Sequence, residues 1–252
     1  VTEQTEQNVL KRKTENHIGF LTLNRPEQAN ALNRALFLAL RNEMEALEND
    51  DDVRVIVMTG AGEEAFCAGI DLKERAQLPK HEILLFRERI IKPCFDALRS
   101  SPKPLIAAVN GVAFGGGAEL ALVCDMRVAS ERARFAQTEI RWGMIPACGA
   151  CQRLRMIVGI GRAKEIILTG REVGADEALQ WGIYNRVVPV GRLMDEARRL
   201  ASDIAGNSPV AVKQAKKAVD MGAHILGSLE FEFEASKACY FSGEAMTGPE
   251  KF

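Results

Sequence analysis

The chain has 252 residues, 47% of them hydrophobic, enough to bury one large core or a core with an appendage. Basic and acidic residues nearly cancel, 33 against 34, which argues against a nucleic-acid partner, since that needs a basic excess or stripe. Every apolar stretch falls short of the roughly 18–20 residues a membrane span requires, so no membrane partner is expected.

Residues 1–13 are polar and carry no hydrophobic signal core; without an initiator Met, part of the natural start is expected to be missing. Ile18-Gly19-Phe20-Leu21-Thr22-Leu23 predicts a strand that ends at Asn24-Arg25-Pro26. Leu32, Leu36, Leu40, Met44 and Leu47 then recur at helical spacing and predict an amphipathic helix over 33–49. Asp50-Asp51-Asp52 reads as a solvated turn, and 53–59 as a buried strand. A helical stripe through Leu84, Ile91, Cys94 and Leu98 covers 79–99. Residues 105–109 predict another buried strand, turned by Asn110-Gly111 and followed by an apolar helix over 119–123 and a strand over 125–130. Helices are expected over 163–168 and 175–181, with a strand over 183–188. Three helical patterns follow, over 193–205, 209–221 and 228–241, the second opened by Ser208-Pro209 in the cap and first helical positions. The alternation predicts an α/β core over 1–190 with a mostly helical region over 191–252.

The chemistry concentrates between residues 60 and 152. Gly115-Gly116-Gly117 permits close backbone approach to a ligand, and at a helix start it leaves N–H groups aimed at an anion. Glu119 follows two residues later, and Glu139 twenty residues after that, so two carboxylates and a backbone anion site make an acid/base apparatus. Ala68-Gly69 is a second place where small residues expose peptide N–H groups. Taken singly, each has a plain structural reading: Glu119 a helix-start acid, Glu139 an ion-paired acid beside Arg141, the glycines ordinary turns. Gly60-Ala61-Gly62-Glu63-Glu64-Ala65 matches a loose dinucleotide fingerprint, but no helical stripe opens after it. Cys148-Gly149-Ala150-Cys151 is formally C-x-x-C, yet it lacks a thioredoxin-like context or a second ligand pair, and the three histidines are scattered. No metal site is expected, and the six cysteines read as reduced small hydrophobes.

In combination, Phe66-Cys67-Ala68-Gly69-x-Asp71-Leu72-Lys73-Glu74, Ala107-Ala108-Val109-Asn110-Gly111, Gly115-Gly116-Gly117-x-Glu119-Leu120-Ala121, Cys124-Asp125, Glu139-Ile140-x-x-Gly143-x-Ile145-Pro146 and Gln152-Arg153-Leu154 resemble the enoyl-CoA hydratase/isomerase (crotonase) superfamily. The likeness runs from about Asn8 to the C-terminus, and Phe66 to Ala76 is especially similar to the short-chain and methylglutaconyl-CoA hydratase branch. The resemblance implies a spiral of ββα turns followed by a helical trimerisation region, assembled as a trimer or dimer of trimers. It implies a lyase of fatty acid metabolism that hydrates a 2-trans-enoyl-CoA to a 3-hydroxyacyl-CoA, with Glu119 and Glu139 catalytic and the N–H groups of Ala68 and Gly116 forming an oxyanion hole. Ala29, Ala31, Leu32, Gly69, Ile70, Asp71, Gly115 and Ala147 would bind substrate. No cofactor is implied, because coenzyme A is part of the acyl-CoA thioester substrate. The compartment would be the cytoplasm in a bacterium or the mitochondrial matrix in a eukaryote. Two features depart from the family's usual pattern: Thr138 stands where Pro is common, and Ala147-Cys148-Gly149-Ala150-Cys151 stands where Gly-x-Gly-Gly-Thr is common. Alternatives are a Δ3-Δ2-enoyl-CoA isomerase, which manages with one acid, and a non-catalytic CoA-ester or RNA-binding relative. The helix over 33–49 has only Arg34 and Arg41 against Glu43, Glu45 and Glu48, which disfavours RNA.

Overall fold

Two sheets run through residues 9–221, which with Lys237 and Phe241 are the part of the chain that this computed structural model describes. The chain enters through β1 (Leu10–Glu15) and β2 (Ile18–Leu23), paired antiparallel, and continues into α1 (Arg34–Glu48). Asn33 caps α1 by accepting the Leu36 N–H at 2.9 Å.

Three ββα turns follow. The first comprises β3 (Val55–Gly60), β4 (Ala65–Cys67), α2 (Leu72–Gln77), α3 (Lys80–Phe86), a π-helical turn at Arg87–Ile91 and α4 (Lys92–Ser100). The second is β5 (Leu105–Val109), β6 (Val112–Phe114) and α5 (Gly116–Val123). The third is β7 (Met126–Ser130), β8 (Arg134–Ala136), a 3-10 turn at Glu139–Trp142 and α6 (Ala150–Thr169). After β9 (Val173–Gly174), α7 (Ala175–Gln180) and β10 (Arg186–Val188) come α8 (Leu193–Ala205) and α9 (Pro209–Met221). In each turn the first strand joins the sheet β1-β2-β3-β5-β7-β10 and the second joins β4-β6-β8-β9. The chain thus winds as a spiral of ββα turns.

Alternation along β3 explains how the large sheet is buried on both faces. Ile56 and Met58 face the main core with α1, α4 and α5, while Val55 and Val57 face α8 through Leu193, Ala197, Leu200, Ala201 and Ala205. Although α8 lies beyond residue 190, it covers a whole face of the sheet, so the packed core extends past the 190/191 division. Lys216 of α9 pairs with Asp125 at the foot of β7 and with Asp220 at 3.2 Å.

The predicted elements at 18–23, 105–109, 193–205 and 209–221 appear with those bounds, and α1 falls one residue inside the predicted helix at each end. β1 carries no apolar alternation because it is an exposed edge, and β4, β6, β8 and β9 are too short for a period to show. The predicted strand at 183–188 begins only at Arg186; Ile183 and Tyr184 form a buried corner instead. The expected helix over 163–168 is part of the longer α6, whose Gly159 departs from helical geometry at φ 79°. Apart from Lys237 and Phe241, the expected helix over 228–241 lies outside the described residues. No helix among the described residues is long and apolar enough to cross a membrane.

Candidate active site

The two glutamates, twenty residues apart in sequence, arrive at one cavity of about 280 Å3. Glu119 sits in the first turn of α5, where no other polar side chain exists, and is only 4% exposed. A buried helix with an all-apolar sequence gives a lone carboxylate no structural partner of its own, so what holds it comes from elsewhere in the chain. The Cys148 N–H donates to its Oε1 at 2.7 Å. Glu139 opens the 3-10 turn after β8, half-buried, and lines the same cavity. The fully buried Gln137, with its amide nitrogen turned toward Glu139, donates to Oε1 at 3.3 Å and Oε2 at 3.1 Å. Arg141 lies exposed at the cavity wall and forms no ion pair with Glu139, so the simple ion-pair reading of that acid does not hold.

The surroundings split the two acids. Burial raises Glu119 above the ordinary carboxylate range, opposed by the Cys148 N–H and the Arg87 charge. Burial raises Glu139 well above that range, and the negative charge of Glu119 pushes it further, with Arg87 opposing. Both environments therefore favour the neutral acid, and at Glu139 the charge of Glu119 adds to the effect of burial. Arg87 reaches both from the π-helical turn between α3 and α4, a distortion of the kind found often at functional sites.

Glycines let the walls close. Gly115 has φ +51°, and a Cβ there would stand 3.3 Å from Thr138 Oγ1 and 3.4 Å from Glu139 Oε1. At Gly117 a Cβ would overlap the Cys67 carbonyl, so α5 is seated against β4 through bare backbone. That seating brings residues 68–70 beside Gly116: a Cβ on Gly116 would lie 3.6 Å from the Ile70 nitrogen.

This geometry corrects one expectation. The Ala68 N–H donates to the Ala29 carbonyl at 3.0 Å and is spent on the fold. The Ile70 and Gly116 N–H groups, by contrast, enter no hydrogen bond among the described residues. Leu32 N–H takes the Gly69 carbonyl at 2.7 Å and Asp71 N–H the Leu32 carbonyl at 3.0 Å, so the bridge between the two segments passes over Ile70. Ile70 and Gly116 are thus free donors that lie side by side at the cavity.

Of the other expected site residues, Ala68, Gly69, Ile70, Gly115, Gly116 and Ala147 line the cavity. Ala29, Ala31, Leu32 and Asp71 do not; they form the ridge that holds residues 68–70 in place. Asp71 caps α2 and pairs with Arg25 at 2.8 Å, and Arg25 also donates to the Ala31 carbonyl. Burial works to raise Asp71, but Arg25 and the capping N–H groups outweigh it and hold the carboxyl below its ordinary range. Ala29 and Asn30 adopt left-handed φ of 49° and 55°, a conformation uncommon for residues other than glycine, and the buried Asn30 side chain ties the bend to Ala61 and Ala65. The sequence reading missed Arg87, Gln137 and the apolar wall of Leu72, Ile91, Trp142 and Met144. Gln137 alone left a signal: an uncharged polar residue inside an apolar run, two positions before the acid.

Among the described residues no group of three or more His, Cys, Asp and Glu is placed to hold a metal. Cys67, Cys94 and Cys124 are buried free thiols, each pushed by burial to a pKa of about 12.

Sequence comparison matches residues 13–245 to the family described as Enoyl-CoA hydratase/isomerase. The chain is 41% identical to the short-chain-enoyl-CoA hydratase of Clostridium acetobutylicum, over 92% of this chain and 89% of that protein. It is 34% identical to the crotonyl-CoA hydratase of Syntrophomonas wolfei, over 98% and 95% of the two lengths. The crystal structure of an enoyl-CoA hydratase from Bacillus anthracis superposes with a TM-score of 0.84 at 39% identity, covering 92% of this chain and 90% of that one.

Proposed function

Because the chain belongs to the enoyl-CoA hydratase/isomerase family, we propose that its cavity hydrates 2-trans-enoyl-CoA thioesters, with Glu119 as base and Glu139 as acid. The protein is an enoyl-CoA hydratase, a hydro-lyase. The observation that carries the division of labour is the pair of unlike carboxyl environments facing one cavity.

The thioester oxygen accepts from the Ile70 and Gly116 N–H groups, which draws electron density from C3 and stabilises the enolate-like transition state. Water gives a proton to Glu119 as its oxygen bonds to C3. Glu139, protonated, delivers a proton to C2, and the thioester carbonyl is restored. Because both acids flank one water, oxygen and proton add to the same face, a syn addition. The addition is redox-neutral overall, so it needs no redox cofactor, and the two carboxyls and two backbone donors supply its acid, base and electrophilic assistance. Coenzyme A arrives with the substrate, its bulk outside a cavity of about 280 Å3. That volume, with Ile91, Trp142 and Met144 on its wall, supports a short acyl group.

A panel of enoyl-CoA thioesters of increasing chain length, followed by loss of the conjugated absorbance, tests this reading. Turnover should be fastest for the four-carbon acyl group and fall along the series. Absorbance unchanged across the whole panel would overturn it.

The assembly we infer is a trimer or dimer of trimers, supported by the exposed apolar side chains of Met156, Ile160, Leu168, Val219 and Phe241 on one isolated chain. Light scattering should give three or six times 27.7 kDa, and a monomeric mass at working concentration would contradict it.

A further inference from the structure

Thr138 brings to the cavity a hydroxyl that the fold does not use. It is partly buried, lines the cavity, and stands just before the 3-10 turn at Glu139–Trp142, where a threonine ordinarily caps. Its side chain makes no capping hydrogen bond, and its Oγ1 enters no other among the described residues. Backbone closes the turn instead, the Arg141 N–H donating to the Thr138 carbonyl at 3.1 Å. Gly115 marks where the free hydroxyl lies. A Cβ there would be 3.3 Å from Thr138 Oγ1 and 3.4 Å from Glu139 Oε1, so the two oxygens border one spot beside the glycine triplet. We propose that Thr138 is a further catalytic residue, its hydroxyl holding the attacking water beside Glu139. The inference rests on the hydratase reading and adds to it a group where the family's usual proline has none.

The needs of the other polar groups leave Thr138 this role. Glu139 already has its holder, since the buried Gln137 amide donates to both of its oxygens at 3.3 and 3.1 Å. The thioester oxygen has two donors in the Ile70 and Gly116 N–H groups. What stays short of a partner is the water. One of its O–H bonds breaks as the proton passes to Glu119, and one lone pair forms the bond to C3. Glu139 presents its own proton to C2, so it does not accept from the water at that moment. The second O–H of the water then lacks an acceptor, and a hydroxyl oxygen at the edge of Glu139 supplies one. That O–H does not break: it remains as the 3-hydroxyl of the product, and Thr138 keeps its own proton throughout. Holding it fixes the direction in which the water's lone pair points, which is the positioning that a near-attack geometry requires.

Thr138→Val keeps the branched shape and removes the hydroxyl. With a four-carbon enoyl-CoA it should lower kcat by roughly three- to tenfold, the worth of one ordinary hydrogen bond, and leave KM close to the parent value. Thr138→Ser, which keeps the hydroxyl, should hydrate close to the parent rate. A bound dimethylaminocinnamoyl-CoA, whose absorbance shifts when its thioester carbonyl is polarised, should shift as far in Thr138→Val as in the parent, because the backbone donors are untouched. A folded Thr138→Val with the parent's kcat overturns the proposal. An equal loss in the serine variant overturns it too, by tracing the effect to packing, and so does a lost absorbance shift, by tracing it to a displaced turn. Should the valine variant not fold, Thr138→Ala carries the same prediction against the same serine control. If the parent hydrates no enoyl thioester, the functional reading fails; if the parent hydrates and Thr138→Val matches it, only this inference does.

Discussion

At the scale of residues, the site is made of groups that burial drives away from their ordinary protonation. Glu139 binds its proton more tightly folded than unfolded, so the fold loses stability as pH rises from the ordinary carboxylate range through its raised pKa. Below that range the two states hold the proton equally and the effect is absent. Glu139→Gln should therefore raise Tm at neutral pH or above, an advantage that shrinks as pH falls toward the ordinary carboxylate range. Thermal unfolding at several pH values checks this; a gain of the same size at every pH would trace it to packing instead of ionisation. Both acids were legible in the sequence through their spacing from the glycine triplet. Which N–H of residues 68–70 the fold leaves free was not. Ala68, Gly69 and Ile70 look equivalent as small or apolar residues in a turn, and only the Ala68-to-Ala29 hydrogen bond shows which N–H the fold consumes. Arg87 was hidden for a related reason: its neighbours follow a helical stripe, and the π-helical turn that rotates it toward the cavity leaves no periodic mark.

At the scale of elements, legibility followed burial. Strands with both faces covered, such as β3 and β5, read as apolar runs, and α1 and α8 announced themselves through one-sided stripes. The second sheet was invisible because β4, β6 and β8 have three residues each, fewer than two periods of alternation. Yet this small sheet does most to place the chemistry. β4 delivers residues 68–70, β6 delivers the glycine triplet, and β8 delivers Gln137 and Glu139. These three strands are adjacent and parallel, so their C-terminal ends emerge side by side. The ends of parallel strands are where ligands collect in open α/β sheets, and the same logic operates here at a smaller size.

At the scale of the whole molecule, the spiral converts sequence distance into proximity. Each turn adds one strand to each sheet, and three turns carry Ile70, Gly116, Glu119 and Glu139 to a common wall although they span seventy residues. In the proposed mechanism these groups act on one water and one thioester together, so their effects should not be independent. The most direct test is the hydration rate of a short enoyl-CoA by Glu119→Gln, Glu139→Gln and the double variant, each confirmed folded. Glutamine keeps the size and some hydrogen bonding but removes the titrating carboxyl. Each single change should lower hydration by roughly two or more orders of magnitude, and the double should fall far less than the product of the two. An isomerase would lose double-bond migration in one variant and keep most of it in the other. If either folded single variant hydrates at the parent rate, the two-glutamate mechanism is wrong for this protein.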